Sequence, residues 1–348
     1  MNCSLALIVL LFSCGKTNST SNDVLPPLNL TVNANVATDN SGNVSFTASA
    51  TNATTYEYDF GNGVFQIAPS GNVNYKYSSS GTYTVNVIAK NAIGQTISKS
   101  IQITLSASIA LVWSDEFDTP GSPDASKWGY DIGTGSGGWG NNELQYYTKD
   151  SLGNASVSNG RLTIVLKNQT IEDRKYSSAR LVTKGKGDWI YGRIDVRAKL
   201  PKGLGTWPAI WMLGSTTPLK WPDDGEIDIM EHVGFNPGFI HATTHTKSFN
   251  HMIGNQKTDT IIVKDFDTQF HDYSVIWNKD SVTILFDNQA YYTFKNNGTG
   301  KAAWPFDGPM HLLLNIAFGG NWGGVKGVDD AVLPAKMEID YVRVYQLK

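Results

Sequence analysis

Cysteine is almost absent: the 348 residues hold two, Cys3 and Cys14, both within the first fourteen positions. A disulfide is therefore excluded from the rest of the chain, and its stability has to come from buried apolar surface. Charge is sparse as well. Charged residues make up 17% of the chain and the formal net charge is −3, so no basic surface forms to hold a polyanion and nucleic acid is excluded as a partner. A membrane-spanning run is missing from the amino terminus: Leu5 to Phe12 is apolar for only eight residues, too short to cross a bilayer as a helix. Helical periodicity of useful length is missing too. The abundant residues are Gly, Asn, Thr and aromatics, a mixture suited to an all-β chain with many turns.

The short apolar run ends in Leu11-Phe12-Ser13-Cys14-Gly15, which resembles a bacterial lipoprotein signal. That resemblance implies a signal peptide over residues 1–13 and lipidation of Cys14. It places the chain at the bacterial cell envelope, as an outer-membrane or cell-surface lipoprotein with membrane contact only through the lipid; plain secretion is the alternative. Residues 14–27, rich in Ser, Thr and Asn, read as a tether.

From 28 to 105 short β-runs alternate with Gly/Asn turns, as in Val44 to Ala48 and Tyr83 to Ala89, the pattern of a small sandwich. Tyr56-Glu57-Tyr58-Asp59-Phe60-Gly61-Asn62-Gly63 and Gly81 to Val87 with Asn91-Ala92-Ile93-Gly94 resemble the polycystic-kidney-disease type of immunoglobulin-like module. Asp59 beside its glycines is expected to cap a turn.

From 110 to 348 the chain is again β-rich. Tyr191 to Leu200 alternates charged and apolar residues, marking a strand with one wet face. Further strands are expected at Arg161 to Leu166, Tyr273 to Trp277, Val282 to Phe286, His311 to Ala317 and Met337 to Tyr345, which favours a sandwich over an α/β fold. Gly133-Thr134-Gly135-Ser136-Gly137-Gly138 fits the G-x-G-x-x-G phosphate fingerprint but lacks the strand before it and the helix after it. It reads as a glycine loop that could border a cleft.

The most informative stretch is Gly225-Glu226-Ile227-Asp228-Ile229-Met230-Glu231-His232. In a strand, Glu226 and Asp228 share one face and Ile227 and Ile229 the other. Glu231 breaks that parity unless a residue is looped out as a β-bulge at Ile229-Met230. Three acids then line one surface, with no Lys or Arg among them to relieve their repulsion. Clustered acids of this kind build acid/base pairs and metal sites. Trp207 and Trp211, four apart, share a strand face, and Trp221 lies five before Glu226. Indole rings beside acids and amides suit the apolar faces and hydroxyls of sugars.

With Gly205-Thr206-Trp207-Pro208-Ala209-Ile210-Trp211-Met212 upstream, Trp113-Ser114-Asp115-Glu116-Phe117 at the start and Met337 to Tyr345 at the end, the acid motif resembles glycoside hydrolase family 16, and within it the bacterial laminarinases. The resemblance implies a β-jelly-roll sandwich of concanavalin A-like type and an endo-acting retaining hydrolase of β-1,3-glucan. Position by position it makes Glu226 the nucleophile, Asp228 the auxiliary acid and Glu231 the general acid/base. Retaining enzymes hold two such carboxyls about 5–5.5 Å apart. Asn141, Arg180, Trp207, Trp211, Trp221, His245, Asn321 and Trp322 are implied as sugar contacts. No cofactor is needed for catalysis; a structural Ca²⁺ is implied at Asp340 with Glu116 and the carbonyl of Gly160. The expected partner is a β-glucan polysaccharide or oligosaccharide, and the expected state a monomer. Mixed-linkage β-1,3-1,4-glucanase activity is the alternative within the enzyme class, and a non-catalytic glycan-binding protein the alternative outside it.

Overall fold

The computed structural model describes residues 24–77, 79–149 and 153–347; the signal segment 1–13 and Cys14 lie outside them, with most of the tether. The chain divides into two compact units: one holds the described residues up to Asp39 together with Asn43–Ser106, the other runs from Ala107 onward and includes Asn40–Gly42. Among the described residues no helix is long and apolar enough to cross a membrane.

The smaller unit is an immunoglobulin-like sandwich of two antiparallel sheets. One consists of Leu28–Val36, Asn43–Thr51 and Asn72–Lys76, the other of Phe65–Ala68, Thr55–Asp59, Gly81–Lys90 and Thr96–Leu105. Period-two alternation decides what faces inward: Val44, Phe46 and Ala48 are buried between exposed Ser45, Thr47 and Ser49. The core is aromatic. Phe60 stacks on Tyr75 with ring centroids 3.9 Å apart, and Phe46 and Tyr58 pack against it. The buried hydroxyls end on backbone: Tyr58 donates to the carbonyl of Gly71 (2.7 Å) and Tyr77 to that of Phe60 (3.0 Å). Asp59 caps its turn by accepting from the Gly61 N–H at 2.9 Å. Gly61 itself has φ +77°, and a Cβ there would lie 2.4 Å from the Thr84 carbonyl oxygen, so no other residue fits the turn.

The larger unit is a jelly-roll sandwich. Its first sheet runs Gln145–Tyr147, Arg174–Ser178, Arg161–Ile171, Ala335–Leu347, Gly192–Lys199, His271–Trp277, Ser281–Phe286 and Gln289–Lys295, with Ala155–Ser158 and Ile109–Asp115 as extra partners. The second runs Lys257–Ile262, Phe239–His245, Glu226–His232, Thr206–Gly214, Met310–Phe318, Arg180–Val182 and Gly129–Tyr130, with Asp188–Trp189 paired to Met310–Phe318. One continuous core fills the space between. Leu162, Ile164, Val196 and Val344 enter from the first sheet; Ile210, Met212, Ile227, Leu312, Leu314 and Ile316 enter from the second.

Because side chains alternate, those last strands carry their other residues on the opposite face of the second sheet. Trp207, Ala209, Trp211 and Leu213 of one strand and His311, Asn315 and Ala317 of the next line a cavity of about 590 Å³ there. The core thus fixes the cleft by parity: whatever stands between buried aliphatics faces the cavity.

Candidate active site

The acid strand Glu226–His232 lies between Phe239–His245 and Thr206–Gly214. Gly225 opens it at φ +80°, where a Cβ would come within 2.7 Å of Pro305 and 2.8 Å of Phe306. The pairing slips within the strand. Trp211 faces Asp228 while its neighbour Ile210 faces Met230, and Thr243 faces Asp228 while His241 faces Glu231. Ile229 is therefore the extra residue of a β-bulge. Ile227, Ile229 and Met230 are fully buried in the core, while Glu226, Asp228 and Glu231 all line the cavity. A one-residue slip would expose those apolar side chains, at roughly 1.5–3 kcal/mol each, and drive carboxyls into the core; packing holds the bulge in place.

Each glutamate has an indole donor. Trp221 Nε1 donates to Glu226 Oε2 at 2.8 Å and Trp207 Nε1 to Glu231 Oε1 at 3.0 Å. His245 Nε2 lies 3.4 Å from Asp228 Oδ2 and 3.8 Å from Glu226 Oε1. Burial is the main influence on the proton affinities. It pushes Glu226 to about 8, helped by repulsion from Asp228, and Glu231 to about 7, helped by repulsion from Glu226. Asp228, 2% exposed, is driven well above the usual carboxylate range by burial and then by Glu231. The two glutamates consequently titrate over the same range as a pair. Such a cluster can present one carboxylate and one carboxylic acid side by side.

The sequence candidates divide into three groups. Asn141, Arg180, Trp207, Trp211 and Trp221 all line the cavity with the acids. Arg180 is clamped between two indoles, its guanidinium carbon 4.5 Å from the Trp139 ring and 4.7 Å from that of Trp211, and is paired with Asp131 at 3.0 Å. His245, 6% exposed, sits behind the acids and meets their oxygens instead of open cavity. Trp322 stands edge-on to Trp207 (5.5 Å) and His241 (5.0 Å), backing the wall. Asn321 is exposed and spends its oxygen on Asn142 Nδ2 at 2.8 Å.

The residues expected to hold Ca²⁺ do not fit it through their side chains. Both Glu116 oxygens accept from the Arg343 guanidinium, at 2.9 and 2.8 Å, and Asp340 pairs with Arg197 at 3.5 Å. Two arginines already balance the charge a hard cation would need. Gly160 is a turn glycine at φ +70° with nothing within 4 Å of its Cβ position. Among the described residues, the one group of three His, Cys, Asp or Glu side chains close enough to share an ion is Glu226, Asp228 and His245, with donor atoms within 4.8 Å of one another. These belong to the acid cluster itself, whose chemistry needs no metal.

Several cavity residues escaped the sequence reading. Trp139 and Gly140, just after the glycine run Gly133 to Gly138, line the cleft in place of that run, beside the expected Asn141; Trp139 is held at φ 56°, an unusual conformation for a bulky residue. Asn315 and His311 were detectable by parity, as polar residues interrupting an apolar strand on the face opposite Leu312 and Leu314. Glu143, His251 and Met252 also line the cavity, and nothing in their local sequence marks them.

Two family profiles match the chain: Glycosyl hydrolases family 16 over residues 142–343, and PKD domain over 28–105. The chain is similar to a beta-glucanase of Rhodothermus marinus, 52% identical over 244 residues, covering 68% of this chain and 85% of that one. Among solved structures it is similar to the laminarinase from Rhodothermus marinus, with TM-score 0.67, 49% identity, and coverage of 70% of this chain and 99% of that one. A non-specific endo-beta-1,3(4)-glucanase from family GH16 gives TM-score 0.66 at 49% identity, covering 69% of this chain and 92% of that one.

Proposed function

The chain belongs to glycosyl hydrolases family 16, and from that premise we propose that it is an endo-acting β-1,3-glucanase of the laminarinase type, cleaving with retention through Glu226 and Glu231. The observation that carries the reading is the bulge at Ile229, which puts both glutamates on one cavity wall, each with its own indole donor. Glu226 attacks the anomeric carbon while Glu231 protonates the leaving oxygen; Glu231, now ionised, then takes a proton from water as that water breaks the glycosyl-enzyme bond. The Trp221 indole N–H bonded to Glu226 supports the carboxylate form there. Positive charge developing at a sugar ring over Glu226 favours the same form, leaving the shared proton on Glu231. Trp211, Trp221, Arg180 and Asn141 supply stacking faces and donors for the glycan.

Mixed β-1,3-1,4-glucan is the second reading, favoured by the similarity to a non-specific endo-beta-1,3(4)-glucanase. A non-catalytic glycan-binding role is disfavoured because both glutamates are present and face the cavity. Cys14 is the lipidation site that would hold the enzyme at the bacterial envelope as a monomer, with secretion as the alternative; radiolabelled palmitate incorporation lost in Cys14→Ala decides between them. The activity is tested by reducing-end release and product sizes on laminarin, lichenan and agarose. Internal cleavage of laminarin is expected; activity on agarose alone overturns the substrate, and binding without cleavage overturns the enzyme.

A further inference from the structure

Beneath the cavity wall a chain of hydrogen bonds runs in one direction. Trp211 Nε1 donates to Asn315 Oδ1 at 2.7 Å, Asn315 Nδ2 donates to the Tyr147 oxygen at 2.9 Å, and the Tyr147 hydroxyl donates to Glu143 Oε2 at 3.2 Å. Gln145 Nε2 donates to the same Glu143 oxygen at 2.6 Å while its own oxygen accepts from the Phe318 N–H at 2.8 Å. Every step spends a donor toward Glu143. The series therefore needs a terminus that only accepts, which is what an ionised carboxylate is.

Glu143 is 6% exposed and its burial raises its proton affinity. A buried acid has to be compensated by partners, and it takes no part in the two-carboxyl reaction. Its partners lead instead to the sugar-facing wall. Trp211 fixes one side of the Trp139, Arg180, Trp211 stack, and the indole can turn only by abandoning Asn315. We propose that Glu143 is a positioning residue: as terminal acceptor of the chain from Trp211 through Asn315 and Tyr147, it sets the orientation of the glycan-binding wall without touching the reacting atoms. This rests on the glucanase reading for its functional consequence but not for its structural one.

The test uses the full chain and three variants. Tyr147→Phe keeps the ring and deletes the hydroxyl; Glu143→Leu removes the terminus; Glu143→Gln keeps one acceptor oxygen. Hydrogen exchange of the Trp211 indole N–H is followed by NMR, assigned with Trp211→Phe, beside KM and kcat on laminarin. Tyr147→Phe and Glu143→Leu are expected to speed that exchange and raise KM, each by about tenfold, the loss of one buried hydrogen bond. kcat should stay within about threefold, the Trp207 and Trp221 indole signals should not move, and Glu143→Gln should recover most of both effects. Trp211 exchange indifferent to Tyr147→Phe overturns the chain of bonds. A fall in kcat at constant KM overturns the positioning role. If the wild-type protein leaves laminarin intact while Trp211 exchange still follows Tyr147 and Glu143, the glucanase reading falls and the positioning of Trp211 stands.

Discussion

The core of the smaller unit and the cleft of the larger one are both built from aromatic side chains with polar tips, and the tips end differently. In the smaller unit Tyr58 and Tyr77 donate to backbone carbonyls and Asp59 accepts from a backbone N–H. In the cleft Trp221 and Trp207 donate to Glu226 and Glu231, and Trp211 to a relay that ends on Glu143. Backbone partners cannot change protonation state, so the first arrangement stabilises and does nothing else. Ionisable partners can, so the second holds carboxyls in a chosen state at a cost in stability. An aromatic or acidic residue is assigned its role by the atom at the end of its hydrogen bond.

The sharpest way to break that contrast is to remove an acid from each region. Glu226→Gln and Glu231→Gln should each lower turnover of laminarin by about a thousandfold or more, while Asp59→Asn leaves it unchanged; comparable losses from all three would erase the distinction. Next in size is the pH dependence. With Glu226 near 8 and Glu231 near 7, kcat/KM of the free enzyme should peak between about pH 7 and 8. It falls on the acid side as the pair gains its second proton and on the alkaline side as it loses its last. Trp221→Phe removes a donor that favours ionised Glu226, so the alkaline limb should move to higher pH and kcat/KM at pH 6 drop by about tenfold as the proton stays on Glu226; an unmoved limb would detach Trp221 from the chemistry.

The stability cost is visible in the same residue. Glu226 is raised from an unfolded value of about 4.3 to about 8 in the fold. It destabilises the fold as pH climbs past the unfolded value, and the penalty is complete above the folded one. Glu226→Gln should therefore raise Tm by a few degrees at pH 8 and by less at pH 5; a lowered Tm at pH 8 contradicts the burial argument. Smallest is Tyr77→Phe, which should cost the smaller unit about 1 kcal/mol in urea unfolding and leave kcat untouched.

Much of this was readable in advance, and the reason is locality. The break in alternation at Met230 announces the bulge, because strand parity depends only on neighbours in the chain. The capping role of Asp59 likewise needs nothing beyond Gly61. Distant pairing hid the rest. His245 has the chemistry of a sugar contact, but its strand pairs with the acids in a register that tucks it behind Asp228. Glu116 and Asp340 have the chemistry of cation ligands, but Arg343 and Arg197 reach them first. Glu143 stands in an unremarkable run of amides and tyrosines and acquires a role only because Met310–Phe318 brings Asn315 to Tyr147.

By itself, then, the sequence determined the all-β architecture, the two-part organisation and the trio Glu226, Asp228 and Glu231, since alternation and its interruption are properties of adjacent residues. Only the tertiary structure decided which polar groups meet across strands far apart in the chain. It spent two expected metal ligands on arginines, turned an expected sugar contact into a support for the acids, and recruited Glu143. The physical reason is that a buried polar atom takes whichever partner the packing brings within bonding distance, and that distance is set by long-range pairing that no local pattern encodes.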